Sequence, residues 1–303
     1  MWSTDEICRA LTERGELWEA APGLVGLRGS ARVLYGALER AIASLLRKDA
    51  DDEWRVPQAI SLEALERADY FASFPQWLTV AAHLDGDPST LEQVASAECP
   101  ALAAREAVAP ADAALSPAVC YHVYAALADS QLRSQQRITV QGTCWRHEGG
   151  RQLPLERGCA FTMRELVCLG SAADVERFLT CGQRRVTGFA ASLGLQATIV
   201  DACDPFFAPA ARGKALLQRM KRLKHELLLP LGPGCTLAAA SFNDHETFFG
   251  EAFGIRGLDG APVSTGCIAL GIERWVLAWM STYGPDPAGW PAIERAVSMR
   301  AGW

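Results

Sequence analysis

The stretch CWRHEGGRQLPLERGCAFTMRELVCLG, Cys144 to Gly170, constrains the chain most. It reads as a strand, a long polar loop and a second strand, so its two ends must pair and its loop must project charge from the mouth of a hairpin. Arg146 and Glu148 alternate along the first strand and therefore share a face. There a guanidinium can bind phosphate and a carboxylate can accept from an amino group. Taken alone, the pair also fits a solvated strand face.

The rest of the chain fills in around this hairpin. Val33, Leu34, Leu38, Ile42 and Leu45 fall at helical spacing between Ser30 and Arg47. A proline inside the apolar run Trp54 to Ile60 suits a strand edge and not a helix interior. Further strands are expected at Arg137 to Trp145, Cys159 to Leu169, Gln196 to Asp201 and Thr236 to Phe242, with helices at Ser171 to Leu193, Arg212 to Leu228 and Cys267 to Thr282. The Ala-rich stretch Ala95 to Ala114 suggests a helical connection or surface segment. Strands joined through loops, with helices clustered late, predict an α+β fold with a mainly antiparallel sheet flanked by helices.

Downstream, STGCIALGIERWVLAW, Ser264 to Trp279, places Gly266, Gly271 and Arg274 where a strand or turn runs into an apolar helix. Glycines there let backbone approach a ligand closely, and an arginine at a helix start can reach a triphosphate. Bulk composition narrows the classes. Formal charge is −6, from 29 basic and 35 acidic residues, and mean hydropathy is near zero, so nothing points to a membrane or to general nucleic-acid affinity. No run of eighteen apolar residues occurs, and Met1 to Arg14 carries Asp5 and Glu6 where a leader would be basic then apolar, which predicts a cytoplasmic protein. Its ten cysteines are scattered without short spacing, which leaves buried thiols or metal ligands.

With these segments in view, the sequence resembles class II aminoacyl-tRNA synthetases in all three characteristic motifs. Motif 1 looks like the helix from Ser30 and the strand carrying Pro57, motif 2 like Cys144 to Gly170, and motif 3 like Gly266 to Trp275. Thr143 to Trp145 depart from the more usual lead-in to motif 2. The resemblance implies a homodimer built on motif 1. It implies that Arg146 holds the ATP α-phosphate, Glu148 contacts the adenine, Phe161 stacks on the base, and Arg274 holds the γ-phosphate side of a bent ATP accompanied by Mg2+. Arg146 and Arg274 are then the catalytic pair, acting by positioning and charge stabilisation.

Within that class the chain is similar to the archaeal, zinc-containing type of seryl-tRNA synthetase. Cys120, Glu165 and Cys267 stand where that subgroup has zinc ligands. Two thiolates and a carboxylate leave one tetrahedral position open for a substrate amine, making Glu165 part of the substrate site as well. Asn243, in the stretch SFNDHETFFGEAFGI, would also bind substrate. The eight other cysteines read as structural, and His122, His147, His225 and His245 as satisfied or surface histidines.

Motif 1 begins within about thirty residues of Met1, so an N-terminal tRNA-binding domain is not expected. The resemblance narrows to the truncated bacterial homologues known as amino acid:[carrier protein] ligases, matched from about Ser30 to Trp279, and implies a single catalytic domain over 1–303 with a carrier-docking helical insertion near 205–230. Leu216, Met220, Leu223 and Leu227 give that segment an apolar stripe, with Arg212, Lys214, Arg219, Lys221, Arg222 and Lys224 around it. A basic helix suits an acidic carrier, and equally an ordinary solvated helix. The expected reaction is ATP plus a small amino acid, glycine or alanine by resemblance, giving aminoacyl-AMP and pyrophosphate, then a thioester on the carrier's phosphopantetheine. The alternatives are tRNA charging, or a noncatalytic synthetase paralogue that binds a partner or senses amino acids.

Overall fold

Ser3 starts the first helix, α1 (Thr4–Glu13), through a reciprocal capping box with Glu6, which satisfies amide N–H groups that a helix start leaves bare. The hairpin β1 (Leu17–Ala21) and β2 (Leu24–Leu27) turns at Gly23, where φ is 75°. Next comes α2 (Gly29–Arg47), which buries Leu34, Leu38 and Ile42 on one stripe, as the spacing predicts, while Leu46 is buried where Leu45 is expected and Leu45 is half-buried. Val33 breaks that expectation: it lies off the stripe and is 68% exposed. The strand expected around Pro57 is two strands, β3 (Asp52–Arg55) and β4 (Ala59–Ser61), because proline brings no N–H to a ladder.

The structure, a computed structural model, describes residues 1–150, 152–207 and 211–291. Of the domain expected over 1–303, residues 151, 208–210 and 292–303 lie outside the described residues, and 208–210 fall within the insertion placed near 205–230. After β4 come α3 (Leu62–Arg67), α4 (Tyr70–Ser73), β5 (Val80–Ala81), α5 (Pro88–Ser96), α6 (Pro100–Glu106) and β6 (Ala113–Leu115). Neither α5 nor α6 has a buried residue, so that part of the Ala-rich stretch lies on the surface, whereas Ala114 at its end is fully buried in β6.

The helix α7 (Cys120–Ala126) leads into the hairpin β7 (Gln136–Trp145) and β8 (Ala160–Gly170), then α8 (Ala172–Ser192), capped by Ser171. The chain continues through β9 (Thr198–Asp201), α9 (Arg212–Met220), β10 (Lys224–Pro230), β11 (Thr236–Asp244), α10 (Phe248–Ala252), β12 (Ser264–Gly271) and α11 (Ile272–Tyr283). Two expectations need correction here. The helix expected from Arg212 to Leu228 stops at Met220, since Arg222 takes a left-handed φ of 53° and turns the chain into β10. The helix expected from Cys267 starts only at Ile272, because Ser264–Gly271 is strand.

A seven-stranded sheet, ordered β3-β7-β8-β12-β11-β10-β9, forms the centre, and only the β3–β7 pair is parallel. The architecture is mixed α+β with a mainly antiparallel sheet flanked by helices, as expected. Side-chain alternation divides the sheet between two cores. Leu166 and Cys168 of β8 and Ile268 and Leu270 of β12 pack with residues of α1, α2, α8 and α11. Met163, Val167, Cys267 and Ala269 face the other way, toward α7, α10 and the small sheet β4-β6-β5. No helix among the described residues is long and apolar enough to cross a membrane.

Candidate active site

Residues directly opposed across an antiparallel ladder present their side chains on the same face. The register therefore writes the floor of the site. Lys224, Asn243 and Cys267 align across β10, β11 and β12, and Glu226, Ser241, Ala269 and Glu165 form the next row, extending onto β8. All seven line one cavity of about 450 Å³ on the α7 side of the sheet.

Cys120, the first residue of α7, comes down onto this floor. Its Sγ, the Cys267 Sγ and a Glu165 carboxylate oxygen lie within 4.8 Å of one another, and all three residues are buried. Glu165 Oε1 accepts from the Val119 amide at 3.2 Å, while Oε2 is buried with no hydrogen-bond partner. Burial pushes the Glu165 carboxyl up, and the contact with Cys267 followed by burial pushes the Cys120 thiol up. Three acidic groups so placed are costly to ionise together without a cation, and the unpartnered oxygen lacks what a cation would give it. Two sulfurs and an oxygen form a donor set that fits zinc.

Above the floor, Arg146 follows directly after β7. Its Nε donates to the Pro117 carbonyl at 2.9 Å, and its guanidinium lies 5.1 Å from the Trp77 ring centroid and 5.4 Å from that of Phe161. Glu148 pairs with Arg157 at 3.0 Å across the loop joining β7 to β8. On α11, Arg274 donates from Nε to the Glu156 carbonyl at 3.0 Å and from Nη1 to the Ala238 carbonyl at 2.8 Å. Burial pulls this guanidinium below its ordinary value. Arg146, Glu148, Phe161 and Arg274 line the same cavity as the three candidate metal ligands. A cavity with arginines from two separate elements on its walls and a metal-competent floor can hold a nucleotide and an amino acid together.

No family model matches the sequence. The chain is 34% identical over 270 residues to amino acid–[acyl-carrier-protein] ligase 1 of Bradyrhizobium diazoefficiens, covering 87% of this chain and 82% of that one. It is 35% identical over 278 residues to ligase 2 of the same organism, covering 90% and 83%. The chain belongs to the amino acid–[acyl-carrier-protein] ligases. It is also 24% identical over 276 residues to the type-2 serine–tRNA ligase of Methanococcus aeolicus, covering 86% of this chain and 53% of that one. Its fold matches M. kandleri SerRS, solved with A. aeolicus tRNASec, at a TM-score of 0.85 and 21% identity, over 98% of this chain and 60% of that one.

In this ligase the cations expected to dock a carrier divide into two groups. Arg212 and Arg219 are exposed on α9, and Lys221 and Arg222 follow its end, paired with Glu246 and Asp201 at 2.8 Å each. Lys214 is half-buried, paired with Asp69 and donating to Ser73 Oγ at 2.9 Å. Lys224 is not on the helix. It is buried in the cavity wall between Asp204 and Glu226, which overcome the opposition of burial and raise its pKa. Leu227 likewise belongs to the sheet core and not to an apolar helix stripe.

Asn243 donates its amide to Ser241 Oγ at 3.1 Å and to Cys267 Sγ at 3.4 Å. His245, read as an ordinary satisfied histidine, is held near pKa 4 by burial and sits beside Cys267. Two cavity residues escape the sequence reading. Glu273 accepts from the Thr162 amide with both oxygens, at 2.9 and 3.0 Å, and burial pushes it up to about 7. Its neighbour Arg274 drew attention, and an acid one residue away at a helix start passes for a favourable end charge. Asp204 receives the Gln218 amide at 2.8 Å and the Lys224 ammonium, a pairing of distant residues with no spacing signature.

Proposed function

We propose that this ligase joins a small amino acid, glycine or alanine, to ATP as aminoacyl-AMP and then passes the aminoacyl group to the phosphopantetheine thiol of an acyl-carrier protein. In the first step a carboxylate oxygen of the amino acid attacks the α-phosphorus and pyrophosphate leaves. Arg146 holds the α-phosphate and the negative charge that grows on it. Arg274 holds the γ-phosphate end, Glu148 accepts from the adenine amino group, and Phe161 stacks on the base. Mg2+ arrives with ATP. These are positioning and electrostatic roles that need no protein nucleophile.

Cys120, Glu165 and Cys267 would hold zinc, which when bound supplies a Lewis acid with one open position for the substrate amine. Both amide hydrogens of Asn243 are committed to Ser241 and Cys267, which leaves its carbonyl oxygen to accept from the same amine. In the second step the carrier's sulfur attacks the carbonyl carbon of the mixed anhydride, AMP leaves, and the thiol proton goes to solvent. The carrier docks on α9, whose Leu216 and Met220 are exposed among basic residues. The reading extends to a homodimer through α2 and β3 and to work in the cytosol.

The observation that carries this function is the convergence of Arg146, Arg274, Cys120, Glu165 and Cys267 on one cavity. Amino-acid-dependent ATP–pyrophosphate exchange tests it. With zinc supplied, exchange is expected with glycine or alanine, and Arg146→Ala should lower it by about 10² to 10³. No exchange with any amino acid would end the reading, and normal exchange in Arg146→Ala would remove that residue's role.

A further inference from the structure

Cys267 differs from Cys120 in what surrounds its sulfur. Asn243 directs an amide N–H at it from the neighbouring strand at 3.4 Å, and His245 places Nε2 at 3.9 Å. The opposite ring nitrogen, Nδ1, lies 3.3 Å from both the Tyr124 hydroxyl and Thr265 Oγ1. A hydroxyl can donate or accept, so those two neighbours tolerate either tautomer. Sulfur does not. A thiolate facing the Nε2 lone pair is repelled, whereas one facing Nε2–H is stabilised, so a metal-bound Cys267 selects the proton on Nε2 and one of the two hydroxyls turns to donate to the single lone pair of Nδ1.

The imidazole is also fixed from outside. Tyr124 stacks on Phe249 at 4.3 Å between centroids, and the His245 ring meets Phe249 edge-on at 4.8 Å. His245 itself follows the last residue of β11, and its backbone N–H bonds to the Thr265 carbonyl at 2.9 Å, tying it to β12 two residues from Cys267. The ring is therefore held by aromatic packing on one side and by the strand carrying the ligand on the other.

We infer that His245 and Asn243 are positioning residues for the metal centre, a pair of N–H donors that fix the Cys267 thiolate and withdraw electron density from it. This rests on the zinc reading above. Zinc with two thiolates and a carboxylate carries a formal charge of −1 in a buried setting. N–H donors on one sulfur spread that charge and leave the metal a stronger acceptor for an incoming amine. Neither belongs to the ligand set: the donor atoms that lie within 4.8 Å of one another are those of Cys120, Glu165 and Cys267.

The test is metal binding by purified full-length protein, not turnover. Zinc affinity is measured by competition with a chromophoric chelator, and the sulfur-to-metal charge-transfer band is read after replacing zinc with cobalt(II). His245→Leu removes the donor and is expected to weaken zinc by about 10- to 100-fold and to move the cobalt band to longer wavelength. His245→Gln keeps an N–H and is expected to stay much nearer wild type in both readouts. Asn243→Leu should shift the band in the same direction as His245→Leu. A leucine variant with unchanged affinity and band overturns the inference, as does a glutamine variant indistinguishable from leucine. Wild-type protein that takes up neither metal would instead sink the zinc reading beneath it.

Discussion

Glu273 spends both carboxylate oxygens on the single amide of Thr162, in a wall where burial raises its pKa to about 7. Unfolded, the same carboxyl titrates near 4.5. Between those values the folded chain keeps a proton that the unfolded chain has released, so this group's contribution is complete below about pH 4.5 and is lost as pH rises through 7. The loss amounts to about 3 kcal/mol. Glu273→Gln in the nucleotide-free protein should therefore flatten stability against pH across that window, read as urea midpoints at pH 4.5, 6 and 8. Parallel profiles for the two proteins would refute the assignment.

At the scale of elements, legibility in the sequence follows the strength of the local signal. The stripe on α2, the paired strands β7 and β8, and the capped helix α8 each declare themselves through spacing or an end residue. β12 does not, since Ser264 to Leu270 are all buried and a strand covered on both faces loses its alternation. The break between α9 and β10 is hidden for another reason. Arg222 adopts the left-handed turn without any glycine or proline to announce it, and Leu223 and Leu227 happen to continue the helical spacing of Leu216 and Met220. Of the site, Arg146, Arg274 and the three metal-ligand candidates were legible through resemblance to known motifs. Asp204 and Glu273 were not, because their roles exist only in tertiary pairing. The shortened α9 carries its own prediction. Met220 is 72% exposed at its end, and Met220→Asp sets a negative charge against an acidic carrier. The carrier concentration giving half-maximal thioester formation should rise about tenfold, or ~1.4 kcal/mol, with ATP–pyrophosphate exchange as the internal reference. An unchanged carrier requirement would place docking elsewhere.

Across the whole molecule, the sheet separates a packed core of long helices from the cavity, and the three candidate ligands join α7, β8 and β12 on the cavity side. A metal bound there stitches together segments that are 45 or more positions apart in the chain, and it binds only when they are folded. Free zinc at about 100 times its dissociation constant would stabilise the fold by about 2.7 kcal/mol. Stripping it with a chelator should lower the thermal midpoint by several degrees, and Cys120→Ser or Cys267→Ser should abolish that difference; a midpoint indifferent to chelation in the wild type would show that no structural metal is present. The ladder that places Lys224, Asn243 and Cys267 side by side also limits how such a chain can diversify. Losing or gaining one residue within β11 would swing Phe242 into the polar floor and Asn243 into the helical core. New substrate preferences are thus open to exchanges at Ser241 or Ala269 and to remodelled loops at the strand ends, but closed to changes of length within the strands themselves.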